Sequence, residues 1–104
     1  MCRSTEELDD LDSLLTGIPA GVRRAFSAKM LGPLADSESD AHRTLLETVE
    51  VFLAHNCSWA RTAEALHVHV NTVHYRIERV QRLTGRDLTR LDHRVGLRAA
   101  LMCR

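Results

Sequence analysis

The sequence predicts an all-α fold, a small helical bundle in which two helices meet at a tight turn. Three observations predict it. Apolar residues recur at three- and four-residue intervals, clearest in Leu45, Leu46, Val49, Phe52 and Leu53, which is the period of a helix with one buried face. Helix breakers and caps punctuate these stripes: Gly17 with Pro19, Gly32 with Pro33, and Ser58. No strand-like alternation of useful length occurs, and there is no internal repeat or glycine-rich phosphate loop. At 104 residues the chain suits one compact domain with an appended segment.

Ser4 and Glu7 stand at capping-box spacing and open the first predicted helix. Leu8, Leu11 and Leu15 form its apolar stripe, Asp9, Asp10 and Asp12 its acidic side, and Gly17 and Pro19 stop it. A second short helix is expected over residues 22–31, with Val22, Phe26 and Met30 facing inward. Residues 35–40, ADSESD, read as a linker with a helix start at Asp40. Residues 1–40 thus form an acidic N-terminal helical segment and linker, and residues 41–104 the principal unit.

That unit opens with a helix over residues 41–55. Asn56 and Cys57 turn the chain, and Ser58 caps a helix that ends near His67. Ala60, Ala63 and Leu66 give this helix a small apolar face, and Trp59 is the anchor that packs it against its predecessor. The connection His67-Val68-His69 is three residues long, the length a helix-turn-helix uses. Val68 is expected to plug the angle and His69 to cap the next helix. That helix spans residues 70–84 with Val73, Ile77, Val80 and Thr84 inward, and Gly85 ends it. Leu88 and Leu91 fold back, and Asp92 caps a last helix over residues 92–102, with Leu97, Ala100 and Leu101 buried.

Overall charge is balanced, 14 basic against 14 acidic, but the halves differ. Residues 1–40 hold four basic and eight acidic side chains, and residues 41–104 hold ten and six, with all six His. Thirteen of the basic residues are Arg, which suits bidentate phosphate and base contacts better than Lys. At ~100° per residue, the outer face of the helix over 70–84 carries Asn71, Tyr75, Glu78, Arg79 and Arg82, with Thr72 and His74 on its flanks. Amide, hydroxyl, imidazole and phenol near a helix start, followed by guanidinium groups, is chemistry for a polymeric anion.

An ordered set of residues carries a family resemblance: Thr62-Ala63 with Leu66, Val68-His69, Asn71-Thr72, Tyr75-Arg76, Leu83-Thr84-Gly85, Asp87-Leu88, and Leu97 to Leu101. With these, the segment from Leu45 to Met102 resembles the C-terminal DNA-binding domain of PucR/CdaR-type bacterial transcription regulators. Its core pattern is also similar to the Fis-type helix-turn-helix. Phe26 and Leu31-Gly32-Pro33-Leu34 look like the segment that precedes this domain in such regulators. The resemblance implies a sequence-specific DNA-binding transcription regulator, the output domain of a PucR/CdaR-like protein. It also implies double-stranded DNA as partner and an upstream sensory region that is absent from this sequence; a homodimer is expected because one such unit reads too few base pairs for useful specificity. Where such regulators carry basic residues, this chain has Val70 and His74.

On this reading the helix over 70–84 lies in the major groove, its unpaired N-terminal amides toward the phosphates. Asn71 is placed for bidentate contact to adenine, and Thr72 for a thymine methyl or a phosphate. His74 and Tyr75 contact bases or backbone. Ser58, Arg61, His69, Arg76, Arg79 and Arg82 complete the expected interface along the backbone. Arg76 sits on the flank and has Glu64 as an alternative partner.

The competing classes are weaker. An enzyme is not expected: there is no Ser/His/Asp or Cys/His set and no carboxylate pair in an apolar context. His67, His69 and His74 with Cys57 do not amount to a metal site, since His67 and His69 flank a turn whose role is already assigned and His74 faces outward, so no metal or other cofactor is expected. Three cysteines without CxxC spacing, and no apolar run near 18 residues, lead to the expectation of a reduced cytoplasmic protein with no membrane partner. The rival is a helix-turn-helix-derived protein-interaction or dimerisation module with little DNA affinity.

Overall fold

The computed structural model describes residues 10–35 and 38–104. It contains six helices: α1 (Leu11–Thr16), α2 (Ala20–Leu31), α3 (Asp40–Ala54), α4 (Trp59–Leu66), α5 (Val70–Thr84) and α6 (Leu91–Cys103). A 3-10 turn, Gly32–Ala35, follows α2, and the described residues contain no strand. The fold is all-α, as the periodicities predict. The Ser4–Glu7 capping box and Leu8 lie outside the described residues, as do Asp36 and Ser37 of the linker.

One core joins the parts. Leu31 and Leu34 sit in the same buried cluster as Leu45, Leu46, Val49, Phe52, Ala63, Val73, Ile77, Val80, Leu88, Leu97, Ala100 and Leu101. The α3 stripe is the expected one, capped by the Ser39 hydroxyl, which accepts from the His42 amide. Along α5, Val73, Ile77 and Val80 are buried, and the Thr84 hydroxyl turns back to donate to the Val80 carbonyl at 2.8 Å. Val68 packs against the core in the α4–α5 angle. Cys103 is buried and Cys57 packs beside the core, both as small apolar fillers.

Four expectations need correction. In α2 the buried positions are Ser27 and Leu31 and Met30 packs against the core as expected, while Val22 and Phe26 are exposed. The Ser27 hydroxyl donates to the Ala100 carbonyl at 2.8 Å, and this bond rotates α2 so that the polar Ser27 faces α6. In α4, Thr62 and Ala63 are buried and Ala60 is exposed, because the Thr62 hydroxyl satisfies itself on the Ser58 carbonyl at 2.7 Å. Leu91 is 72% exposed rather than folded back. Asp92 is not the cap of α6: Arg90 holds that position without a side-chain cap bond, and the Asp92 carboxylate accepts from the Arg90 guanidinium instead.

The α2–α6 crossing is close. A Cβ on Gly96 would come within 2.7 Å of the Met30 terminal methyl, the tip of a flexible side chain that fills the space beside the glycine. Of the large apolar side chains left on the surface, Leu11, Leu14, Val22, Phe26, Leu91 and Val95 lie on α1, α2 or α6, and Trp59 and Tyr75 lie on α4 and α5.

Candidate nucleic-acid interface

Helices α3, α4 and α5 form the unit that carries the candidate site. Between α3 and α4 the chain reverses through two consecutive left-handed residues, Asn56 and Cys57, with φ of 55° and 61°. The Ser58 hydroxyl then accepts from the Arg61 amide at 3.2 Å and starts α4. Its own O–H remains available as a donor.

The turn is built from backbone. His67 takes a left-handed conformation, φ 55° and ψ 43°, at the end of α4. Its amide donates to the Glu64 carbonyl at 3.2 Å, and the Val68 amide donates to the Ala63 carbonyl at 3.0 Å. These bonds satisfy carbonyls the helix leaves open and bend the chain sharply at Val68. His69 follows in extended conformation and caps α5, as expected: its Nδ1 accepts from the Asn71 amide at 3.0 Å. With Nδ1 an acceptor, the neutral ring carries its proton on Nε2, a donor on an exposed side chain.

The first turn of α5 has no acidic residue to oppose an anion. Asn71, His74, Tyr75, Arg79 and Arg82 are exposed, Tyr75 by 63%, and Thr72 is half-buried. Arg61 on α4 is exposed too. Among the described residues Arg61 and Arg79 form no ion pair, so both guanidinium groups are open to a partner. Arg82 pairs with Glu78 one turn earlier at 2.6 Å, on the surface, where such a pair is worth a few tenths of a kcal/mol and yields readily (about 0.3–0.5).

Arg76 is placed differently. It is half-buried, and its guanidinium donates to the Thr48 hydroxyl at 3.4 Å, tying α5 to α3 rather than pairing with Glu64. Thr48 is fully buried and itself donates to the Thr44 carbonyl at 2.8 Å. The sequence held a signal for this: Thr48 lies on the apolar α3 stripe between Leu45 and Phe52, where a polar residue needs a partner.

A second unanticipated contact involves Trp59. Its indole lies 4.6 Å from the Phe52 ring at 44°, the expected anchoring against α3. The indole also stacks on the His74 imidazole, centroids 3.8 Å apart and planes within 14°. No periodicity argument pairs these residues, because the contact depends on the crossing angle of α4 and α5.

Among the described residues no cluster of His, Cys, Asp or Glu is arranged to hold a metal ion. No helix there is long and apolar enough to cross a membrane.

Comparison with known proteins agrees with this architecture. Residues 45–103 match the family described as the PucR C-terminal helix-turn-helix domain. An uncharacterised Thermomonospora curvata protein from the pkwA 5′ region is 42% identical over 90 residues, covering 86% of this chain and 49% of the relative. The purine catabolism regulatory protein of Bacillus subtilis is 35% identical over 92 residues, covering 88% of this chain and 17% of its own length. The carbohydrate diacid regulator of Escherichia coli is 39% identical over 92 residues, covering 86% and 24%. The chain therefore spans at most about half the length of these relatives. No solved structure matches the chain significantly. On the matched segment and the helix-turn-helix built by α4 and α5, the chain belongs to the PucR C-terminal helix-turn-helix family.

Proposed function

We propose that this chain is a sequence-specific DNA-binding module of a transcription regulator, with α5 as the helix that enters the major groove. The observation that carries the reading is the face of α5. Its buried side holds Val73, Ile77 and Val80, while Asn71, Tyr75, Arg79 and Arg82 stand exposed along a helix whose first turn carries no acid, with Glu78 the one acidic residue among them. Asn71 reads adenine and Tyr75 contacts bases or backbone. Thr72 lies beside them at the groove edge. Ser58 and Arg61 at the start of α4, with His69, hold flanking phosphates. Arg79 and Arg82 clamp the backbone further along, and Arg76 acts through its hold on α3. Relatives named as regulators support the assignment.

Two copies bind as a homodimer, because one such unit reads few base pairs. The exposed apolar residues of α1, α2 and α6 lie outside the α4–α5 reading face and offer the surface for that contact.

One observation favours a second reading, a protein-interaction module with weak DNA affinity. Val70, at a position where regulators of this kind carry a cation, is packed against the core. Salt separates the two. A module that neutralises about five phosphates shows a log–log slope of affinity against salt near −4 to −5. Selection of duplexes from a random pool is the direct test. Enrichment of a motif with repeated half-sites supports the proposal; a flat salt slope with no motif refutes it.

A further inference from the structure

Phe52, Trp59 and His74 come from three different helices, α3, α4 and α5, and their rings touch in series. Phe52 is 2% exposed and fixes the inner end. Trp59 is 36% exposed, and His74 is exposed at the outer end. The series therefore runs from the core to the surface and finishes beside Asn71, one turn earlier on α5.

We propose that Trp59 is a positioning residue for DNA recognition: its indole holds the His74 imidazole in one plane, so that the ring edge meets an acceptor on the duplex. The inference rests on the DNA-binding reading above. An exposed histidine otherwise samples several rotamers, and binding must arrest that motion. Stacking at 3.8 Å and 14° covers one face of the imidazole and arrests it beforehand. What remains on offer is the edge, where both ring nitrogens lie. A neutral imidazole presents one donor there and a charged one presents two. The matching acceptors on DNA are guanine N7 and a phosphate oxygen. Trp59 opens α4, so the stack also locks the start of that helix to α5 and sets where Ser58 and Arg61 stand relative to His74.

The sequence offers a built-in reporter, since Trp59 is the one tryptophan of the chain. A charged imidazole in ring contact quenches indole emission far more than a neutral one, so emission is compared at about pH 5, below the ordinary imidazole range. His74→Ala in the full chain is expected to raise Trp59 emission and lifetime without DNA present. On a selected duplex, Trp59→Ala and His74→Ala are each expected to weaken binding about three- to tenfold, the range set by freeing one immobilised side chain. The double variant should lose no more than either single one, because both remove the same arrangement. Trp59→Phe keeps a stacking ring and should bind within about twofold of the parent. Loss confined to duplexes with one guanine identifies guanine as the acceptor, and equal loss on all sequences identifies phosphate.

Unchanged emission in His74→Ala overturns the stack. Multiplicative losses in the double variant overturn the positioning role while leaving the stack standing. If the parent chain binds no duplex, the DNA reading fails and this inference with it, and the emission result still reports the stack separately. His74 is exposed, so its variant keeps the fold and carries the test alone should Trp59→Ala unfold.

Discussion

The buried hydroxyl of Ser27 donates to the carbonyl of Ala100 at 2.8 Å, a bond that spans 73 positions of sequence. Ala100 lies in the last turn of α6, where carbonyls have no partner within the helix. Ser27→Ala leaves that carbonyl unpaired in a dry place, and a loss of about 1–3 kcal/mol is expected. Chemical denaturation checks it, and the DNA affinity of the folded fraction should not change.

Ala63 is buried at the α4–α5 angle, and its carbonyl accepts from the Val68 amide. Ala63→Leu adds bulk where two helices cross. It is expected to destabilise by about 1–3 kcal/mol through overpacking. A melting curve unchanged from the parent would show that Ala63 is not at the crossing.

His67 is held with φ of 55°, a conformation that costs a residue with a Cβ about 1–2 kcal/mol. Glycine removes this strain but raises unfolded-chain entropy by about 0.5–1 kcal/mol. His67→Gly should therefore stabilise the fold by roughly 0.5–1 kcal/mol, because the strain term is the larger. A fall in stability would indicate that the His67 side chain makes a favourable contact that outweighs the strain.

Asn71 and Arg79 are both exposed on α5 but should fail differently. Asn71→Ala is expected to cost about 1–3 kcal/mol on a selected duplex and almost nothing on random DNA. Arg79→Ala should weaken every sequence alike and flatten the salt slope by about one unit. Parallel binding titrations on specific and random duplexes decide both. Equal losses for Asn71→Ala would remove it from base reading.

The approach to α6 has an acid-sensitive joint. The Asp87 carboxylate accepts from the Thr89 hydroxyl at 2.7 Å and from the Thr89 amide at 2.9 Å. The hydroxyl bond first, then the amide, holds its pKa below the ordinary 3.8. Unfolding returns it to that ordinary value. The contribution is therefore whole above pH 3.8 and is lost as pH falls through the lower, folded value. Because the group is exposed, the effect is small. Asp87→Asn should lower stability slightly at neutral pH and leave it unchanged in acid below the folded value, so the acid limb of the stability–pH profile is blunted.

The part of the fold written most legibly is α3 to α5. Expected spans of 41–55, 58–67 and 70–84 meet observed helices Asp40–Ala54, Trp59–Leu66 and Val70–Thr84. There the apolar stripes, Ser58, the short turn and Gly85 all point the same way. The reading failed where a polar side chain faces inward. Ser27 in α2 and Thr62 in α4 are buried because their hydroxyls find backbone carbonyls, and pattern reading treats them as surface. At the start of α6 it failed because Asp92 bonds Arg90 instead of capping, leaving Leu91 in solvent. Within the candidate site the exposed positions of α5 were readable from helical geometry alone. The Arg76–Thr48 bond and the Trp59–His74 stack were not, since each depends on how two helices cross in space.

The tie between Arg76 and Thr48 has a reach beyond its own strength. It joins α3 to the helix that presents Asn71, so a twist of α3 is expected to turn α5 about its long axis. A few degrees there shift every projecting tip sideways by a similar arc, and the effect grows with side-chain length. On the proposed DNA-binding reading, substitutions on α3 are then expected to retune which sequences are preferred, a remote dial set in a helix that need not touch the duplex.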